Sequence, residues 1–334
     1  MRNRPTLKDV AKLARVSEMT ASRVLRGIGE ASEHTKERVL SAAKTVGYVP
    51  NRIAGALSSR SVNLVGVVVP SISSFVFSEV LTGISEGLKP SGLQPIFGIT
   101  DYDLDTEAKV IQEMLSWRPS GLIVAGLEHS EAGRKLLENA GIPVAEIMDT
   151  DGEPVDINVG ISHHEAGYQM AKAILERGYR RIGYIGTKAK LDFRAEKRLG
   201  GFTEGLAEAG LSVVASEQFS GGSSVLTGRE MTARLLERAP ELDCIYYSSD
   251  MSSAGGLMHC LVKGIKVPDE LALAGFSGLD FLDGLPMKPA TTNASRFEMG
   301  KLAAELVIVA KDGGLAKEDR IVRIDAKIDI GDTL

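Results

Sequence analysis

From residue 63 onward the sequence alternates short apolar runs with amphipathic stretches, and this alternation constrains the fold more than any other feature. Eight apolar runs have the length and composition of buried strands, at residues 64–69, 95–99, 122–125, 144–147, 157–159, 182–185, 244–247 and 271–274. Apolar residues at helical spacing lie between them at 79–88, 107–117, 132–139, 164–177 and 227–238. This alternation predicts an α/β fold in which helices cover parallel sheets on both faces.

The chain has more residues than a domain with a single hydrophobic core usually contains. Its 334 residues predict two or three domains, and the alternating part is long enough for two parallel sheets. Ligands of such sheets bind beyond the carboxyl ends of the strands. The loops that follow the predicted strands are therefore the candidate ligand site.

The first sixty residues are basic, whereas the rest of the chain is acidic. They hold 12 Lys and Arg against 5 Asp and Glu, a net charge of +7, and the total of −5 leaves −12 for the other 274 residues. This distribution favours a basic head, residues 1–60, that binds a polyanion, and an acidic remainder that does not contact the polyanion. On charge alone, a merely solvated basic helix is an equally good interpretation.

The basic head has the pattern of three short helices. Apolar residues recur at helical spacing from Leu7 to Ala14, and Ser17 is a good N-cap for a second helix. Ser32 can cap a third helix, which Gly47 would end. Two short helices joined by a tight turn form a helix-turn-helix, whose second helix reads base edges in the major groove. The alternative is a small helical domain with an ordinary polar surface.

A further short helical segment follows at residues 48–57. Asn51 can cap a helix there. A helix of about eight residues is unstable in isolation, and Gly55 lowers its stability by about 1 kcal/mol more. We expect this segment to fold only when another molecule stabilises it.

Two runs, LKDVAKLARVSEMTASRVLRG and GYVPNRIAGALSSRSVNLVGVVVP, resemble the LacI/GalR family of bacterial transcription regulators, and the resemblance extends over the whole chain. It implies a helix-turn-helix headpiece over residues 1–49 and a hinge helix with linker over 50–61. The core over 62–334, for effector binding and dimerisation, would be a two-lobed periplasmic-binding-protein type I fold with doubly wound parallel sheets. The N-lobe would span about 62–160 and 292–320 and the C-lobe about 161–291 and 321–334, with crossovers near residues 160, 288–293 and 320.

The resemblance also assigns residues to DNA contacts. In the major groove, three would read bases and three would hold phosphates: Glu18, Met19 and Arg23 for bases, Ser17, Thr20 and Ser22 for phosphates. In the hinge, two would contact phosphates, one would lie against the minor groove and one would be an apolar wedge: Asn51 and Arg52, Ala54, and Leu57. The DNA partner would be a double-stranded palindromic operator, and a homodimer would match its two-fold symmetry.

In the LacI/GalR family the effector pocket is built from loops at strand ends. The resemblance assigns eight residues of this chain to it: Ser71, Phe75, Phe77, Arg194, Arg198, Ser249, Asp250 and Ser277. Arg198 matches the arginine that grips the effector. Phe75 or Phe77 would supply an apolar wall, and the serines and the aspartate would contact hydroxyl or carboxylate groups.

The charge of these residues favours an acidic effector. Neutral-sugar regulators often carry an aspartate where this chain has Ser277, and arginine pairs with carboxylates through bidentate hydrogen bonds. Runs such as SSFVFSEVLTGI and GYRRIGYIG resemble the gluconate-operon repressor branch in particular. We therefore expect a repressor released by a sugar acid such as gluconate or a ketogluconate. One alternative is a regulator that responds to a neutral sugar. The other is a solute-binding protein or enzyme that shares only the two-lobed core with this family.

Other chemistry has little support in the sequence. The two cysteines lack CxxC spacing, and neither a P-loop nor a GxGxxG motif nor a catalytic triad stands out, so we expect no enzyme activity, no metal and no cofactor. His163 and His164 are adjacent and point in different directions, which argues against a metal site, whereas His129 could approach the pocket. Without an apolar stretch for a membrane span or a signal peptide, we expect no membrane association and a cytoplasmic protein.

Overall fold

The computed structural model describes residues 5–25, 31–49, 62–188 and 192–334, and the chain divides into two units, Met1–Val62 and Asn63–Leu334. In the first unit the helices are α1 (Leu7–Ala14), α2 (Glu18–Leu25) and α3 (Glu33–Val46). Their buried side chains form one small apolar cluster of Val10, Ala11, Ala14, Ala21, Val39, Ala42 and Ala43. The three helices predicted for the basic head are confirmed.

Local hydrogen bonds set the ends of these helices. Ser17 Oγ accepts from the backbone N–H of Thr20 at 3.1 Å, and Ser32 Oγ accepts from that of Thr35 at 3.3 Å. Gly47 ends α3 with φ at 68°, a left-handed conformation that glycine adopts without a steric penalty. The predicted caps and the predicted end of α3 are therefore confirmed.

The second unit begins with a parallel sheet of six strands, which forms the N-lobe. Its strands are β1 (Leu64–Val69), β2 (Gln94–Ile99), β3 (Gly121–Ala125), β4 (Val144–Asp149), β5 (Ile157–Ile161) and β11 (Ile321–Arg323). They lie in the order β11-β5-β4-β3-β1-β2, and every pair is parallel. Val67 and Val69 of β1 pack in one apolar cluster and Val68 packs in another, so both faces of the sheet are buried.

A second parallel sheet forms the C-lobe. Its strands are β6 (Ile182–Thr187), β7 (Ala215–Phe219), β8 (Cys244–Tyr247) and β9 (Ala272–Ala274), in the order β7-β6-β8-β9. Tyr246 and Tyr247 point into opposite apolar clusters, so this sheet too is buried on both faces. Two short antiparallel strands, β10 (Thr291–Asn293) and β12 (Lys327–Asp329), pair with each other.

The helices of the second unit, in its described residues, are α4 (Phe75–Leu88), α5 (Leu104–Ser116), α6 (Glu131–Glu138), α7 (His163–Glu176), α8 (Phe193–Ala207), α9 (Val225–Arg238), α10 (Asp250–Lys263) and α11 (Arg296–Lys311). Together with the two sheets they confirm the predicted two-lobed, doubly wound α/β core. Among the helices of the described residues, none combines the length and the apolarity that a membrane crossing requires.

The structure corrects the predicted strands in two respects. All eight predicted strands are present, with ends within two residues, but β7 and the three-residue strands β10, β11 and β12 were not predicted. β7, at the edge of its sheet, has three consecutive polar residues, Ser216, Glu217 and Gln218, so it lacks an apolar run. The other three strands have three residues each, too few for a pattern. Ile321–Arg323 pairs with β5 in the sheet of the N-lobe. The chain therefore enters the C-lobe for the last time a few residues after residue 321, where the sequence predicted this boundary.

Candidate functional site

A cavity of about 420 Å³ lies between the two sheets of the second unit, where the loops at the carboxyl ends of their strands meet. Its lining residues are Ser71, Ser73, Ser74, Phe75, Val76 and Phe77 after β1, Asp101 and Tyr102 after β2, Met148 in β4, His163 after β5, Thr187, Asp192, Arg194 and Arg198 around the end of β6, Gly221, Gly222 and Ser223 after β7, Ser248, Ser249 and Met251 after β8, and Phe276, Ser277 and Leu279 after β9. The cavity is large enough for a small polar molecule.

The structure brings together most of the residues that the sequence assigns to the effector. Seven of the eight line this one cavity: Ser71, Phe75, Phe77, Arg194, Arg198, Ser249 and Ser277. They come from positions up to about 200 residues apart in the chain, so their convergence is a property of the fold. The eighth residue, Asp250, does not line the cavity.

Asp250 is fully buried, and its carboxylate is occupied by the protein itself. It accepts hydrogen bonds from the Thr291 hydroxyl at 2.6 Å and from the backbone N–H of Leu279 at 2.8 Å. Burial raises the pKa of Asp250 to about 6, although these hydrogen bonds oppose the shift. Its assignment as an effector contact is therefore corrected: Asp250 holds the loop after β9, which carries Leu279 and Ser277 into the cavity wall.

Arg198 is the cation at the base of the cavity, and only 6% of its surface is exposed. One guanidinium nitrogen, Nη1, donates to His163 Nδ1 at 2.8 Å, and the other, Nη2, donates to the Ser248 carbonyl oxygen at 3.1 Å. The guanidinium carbon lies 3.8 Å from the centre of the Phe276 ring. In the described part of the chain, no carboxylate oxygen forms an ion pair with Arg198.

His163 is a cavity residue that the sequence reasoning missed. Its Nε2 lies 2.9 Å from the Met148 carbonyl oxygen of β4, which can only accept, so Nε2 carries the proton and Nδ1 accepts from Arg198. Burial and the adjacent charge of Arg198 hold the pKa of His163 well below its usual value. The imidazole is thus neutral. The signal that could have found it is its place directly after a buried strand.

The other two basic residues of α8 near the cavity, Lys197 and Arg194, differ in the carboxylates that lie close to them. Lys197 forms ion pairs with Glu128 Oε1 at 2.6 Å and with Asp149 Oδ2 at 2.5 Å, so two carboxylates balance its charge. Arg194 lies over the Phe77 ring at 5.7 Å and 4.0 Å from Asp192. Its Nη1 is buried and has no hydrogen-bond acceptor among the described residues. Of the basic residues that line the cavity, Arg194 thus has a distant counter-ion in Asp192, whereas Arg198 has none among the described residues.

Backbone strain concentrates around the same cavity. The described part of the chain has seven non-glycine residues with positive φ, and four of them line the cavity: Asp101 (52°), Tyr102 (62°), Met148 (83°) and Ser277 (129°). Such conformations cost about 1–3 kcal/mol each and persist where the surrounding structure holds them. Their clustering is typical of a ligand site.

Arg296 links the cavity wall to the N-lobe. It begins α11 with a side chain that is 1% exposed, and its Nη2 bonds both carboxylate oxygens of Glu79 in α4, at 2.8 and 2.9 Å. The same guanidinium donates to the carbonyl oxygens of Ser277 and Gly278. The loop after β9 is thereby tied to the helix that carries Phe77.

The sequence placed His129 within possible reach of the pocket, but His129 does not line the cavity. Its side chain is 1% exposed, and its ring nitrogens lie 2.6 Å from Glu107 Oε1 and 3.0 Å from Glu146 Oε1. Burial alone would lower the pKa of His129, but the hydrogen bonds and charges of the two glutamates raise it to about 9. His129 is thus a charged link inside the N-lobe. We name Glu107, His129 and Glu146 the buried triad.

In the first unit, α2 presents a polar outer face. Glu18, Met19 and Arg23 are exposed, and Met19 is 65% exposed in spite of its apolar side chain. Ser17 is exposed at the cap, and Thr20 and Ser22 are half-buried beside it. This surface suits a recognition helix. The four hinge residues assigned to DNA lie outside the described residues: Asn51, Arg52, Ala54 and Leu57.

Comparisons with known proteins agree with both units. Residues 63–324 match the family described as "Periplasmic binding proteins and sugar binding domain of LacI family", and residues 6–51 match "Bacterial regulatory proteins, lacI family". The HTH-type transcriptional regulator GntR of Pseudomonas aeruginosa is 36% identical over 329 residues, 98% of this chain and 93% of that protein. GntR of Escherichia coli (strain K12) is 35% identical over 307 residues, 92% of each. A crystal structure of a LacI family transcriptional regulator from Silicibacter pomeroyi is 55% identical, covers 98% of this chain and 99% of its own, and has a TM-score of 0.94.

Proposed function

We propose a specific role for this chain, which belongs to the lacI family of bacterial regulatory proteins: it is a repressor that leaves its operator when a sugar acid binds between its two lobes. Membership of the family makes it a DNA-binding transcriptional regulator and not an enzyme. The operator, the effector and the direction of the response are the proposed part. Because operator DNA is cytoplasmic in bacteria, we place the protein there.

The buried guanidinium of Arg198 carries the proposal of an acidic effector. A cation that is nearly excluded from water and has no carboxylate partner is costly unless a ligand supplies the counter-ion. Arg194, 4.0 Å from Asp192, adds an unused donor at Nη1, and the Ser71 and Ser249 side chains add hydroxyl groups that suit a polyhydroxy acid. Gluconate or a ketogluconate has this combination of one carboxylate and several hydroxyls.

For DNA recognition, we propose that α2 enters the major groove. Glu18, Met19 and Arg23 would read bases, with Arg23 suited to guanine and Met19 to a thymine methyl group. Ser17, Thr20 and Ser22 would hold phosphates, and the hinge residues Asn51, Arg52, Ala54 and Leu57 would engage the minor groove. A homodimer would place two such headpieces on a palindromic operator.

The proposed mechanism is a linkage between two binding events. The effector would change the arrangement of the two lobes, and the hinge segments of a dimer would then lose the register in which they fold on DNA. The coupling is reciprocal, so operator DNA must weaken effector binding by the same factor. A solute-binding protein is the weaker alternative because residues 6–51 match the regulatory headpiece.

A ligand panel tests the effector class. At about 100 times the dissociation constant, a bound ligand adds about 2.7 kcal/mol of stability, which raises the midpoint of thermal unfolding by about 4–5 °C. We expect gluconate or 2-ketogluconate to give this shift and glucose and galactose to give none. Stabilisation by the neutral sugars without the acids would contradict the proposal.

Two variants separate the two sites in a gel-shift assay. Leu57→Ala should weaken operator binding while gluconate binding persists, because Leu57 is the proposed wedge. Arg198→Ala should keep operator binding but lose the response to gluconate. If Leu57→Ala binds the operator normally and Arg198→Ala still responds to gluconate, the assignment of these two residues is wrong.

A further inference from the structure

The groups that surround the Arg198 guanidinium are neutral. They are the Nδ1 atom of His163, the carbonyl oxygen of Ser248 and the ring of Phe276. Burial also raises the pKa of the nearby Tyr246 phenol, so this group stays uncharged. Residues 189–191, which the structure does not describe, contain no Asp or Glu.

Two other cations of the core are compensated within the protein at short distances. Lys197 has Glu128 and Asp149 as counter-ions, and Arg296 has Glu79. Compensation of this kind is the rule for charges that are removed from water. At Arg198 the place of the counter-ion is taken by an imidazole nitrogen.

The position of His163 explains why its ring remains a neutral acceptor. The contact from Nε2 to the Met148 carbonyl oxygen fixes the tautomer, and so Nδ1 presents its lone pair to Arg198. This contact also runs from α7 of the C-lobe to β4 of the N-lobe. His163 therefore orients the guanidinium without cancelling its charge.

We infer that His163 is the positioning residue that sets the charge class of the effector, because it leaves the positive charge of Arg198 to be balanced by an anionic ligand. This inference rests on the proposed function, since it concerns the same cavity. A carboxylate at residue 163 would balance Arg198 internally, and an anionic ligand would then meet both a satisfied cation and a like charge.

Two substitutions form a matched pair for the test. In His163→Asn and His163→Asp, a side-chain oxygen takes the place of Nδ1 next to Arg198. Both variants lose the Nε2 contact to Met148. They have nearly the same size, and they differ from each other in charge and in the amide NH2 that stands in place of one carboxylate oxygen. Their difference thus isolates charge from packing.

The first measurement needs no ligand. The thermal unfolding of the full chain is followed at pH 7.5 for both variants. We expect the midpoint of His163→Asp to exceed that of His163→Asn by about 2 °C or more, because the new carboxylate pairs with a buried cation. An Asp variant that is no more stable than the Asn variant would overturn the inference, because Arg198 would then already be balanced.

The second measurement uses gluconate as the probe and calorimetry as the readout. We expect His163→Asp to bind gluconate at least about tenfold more weakly than His163→Asn. Equal affinities of the two variants would overturn the inference. If the unmodified chain does not bind gluconate, the proposed effector is wrong, and the inference about His163 is decided by the ligand-free comparison alone.

Discussion

The buried triad allows a quantitative prediction about stability and pH. Replacing His129 by Gln removes a charged ring whose side chain is 1% exposed between Glu107 and Glu146. The two glutamates raise the pKa of His129 to about 9, against 6.5 for an unperturbed histidine. One pKa unit corresponds to about 1.4 kcal/mol, so protonated His129 stabilises the folded chain by about 3 kcal/mol relative to its neutral form.

The sign of the pH dependence follows from the direction of this shift. Below about pH 6.5 His129 is protonated in both the folded and the unfolded chain, and its stabilising contribution is complete. Between about pH 6.5 and 9 the unfolded chain releases the proton while the folded chain retains it, so the free energy of unfolding falls as pH rises. Above about pH 9 the contribution is lost. The His129→Gln variant should lack this fall.

Urea unfolding from pH 6 to 9.5 measures the effect. Trp117 is the only tryptophan of the chain and directly follows α5, the helix that carries Glu107, so its fluorescence reports on this lobe. We expect the stability difference between the unmodified chain and His129→Gln to shrink by about 3 kcal/mol across this range. Parallel curves from pH 6.5 to 9 would refute the reasoning.

A second histidine provides the control. His164 also contacts a glutamate, Glu204, at 3.0 Å, but both side chains are about half exposed. Solvent screens such a pair, so its contribution to stability is small. We expect His164→Gln to change the free energy of unfolding by less than about 1 kcal/mol.

Three further substitutions test how the cavity is held. Gly167→Ala should destabilise the chain by about 1–3 kcal/mol in thermal unfolding, because the new methyl group would overlap the Arg198 carbonyl oxygen where α7 and α8 pack. Asp250→Asn should cost about 1–3 kcal/mol, because an amide cannot accept both hydrogen bonds that the carboxylate accepts. Glu79→Gln should cost about 3 kcal/mol, because it leaves Arg296 buried without a counter-ion. Unfolding midpoints equal to that of the unmodified chain would contradict each expectation.

The sequence predicted the strands that are buried on both faces because such strands are continuous apolar runs. The run at residues 64–69 is an example, and it matches β1 without error. In contrast, β7 lies at a sheet edge and has three consecutive polar residues at its centre, and the three residues of β11 carry no periodic signal. The short strands could be found only through their partners in space.

The cavity was predicted in part for a similar reason. Arg198 and Ser277 follow predicted strands, and position after a strand suffices to place a residue at the ligand edge of the sheet. It does not determine where a side chain points, so Asp250 was assigned to the effector although its carboxylate bonds Thr291 and Leu279. His163 also follows a predicted strand, so its place at this edge could have been predicted, whereas its role could not, because that depends on Arg198, 35 residues further along the chain.

The central proposal is that a sugar acid in the cavity controls the affinity for DNA. The most direct measurement is fluorescence anisotropy with an operator that the full chain selects from random DNA, in the absence and presence of saturating gluconate. We expect gluconate to raise the dissociation constant for the operator by about tenfold or more, within the usual range of allosteric coupling. An unchanged or tighter complex with gluconate, or release by glucose instead, would contradict the proposal.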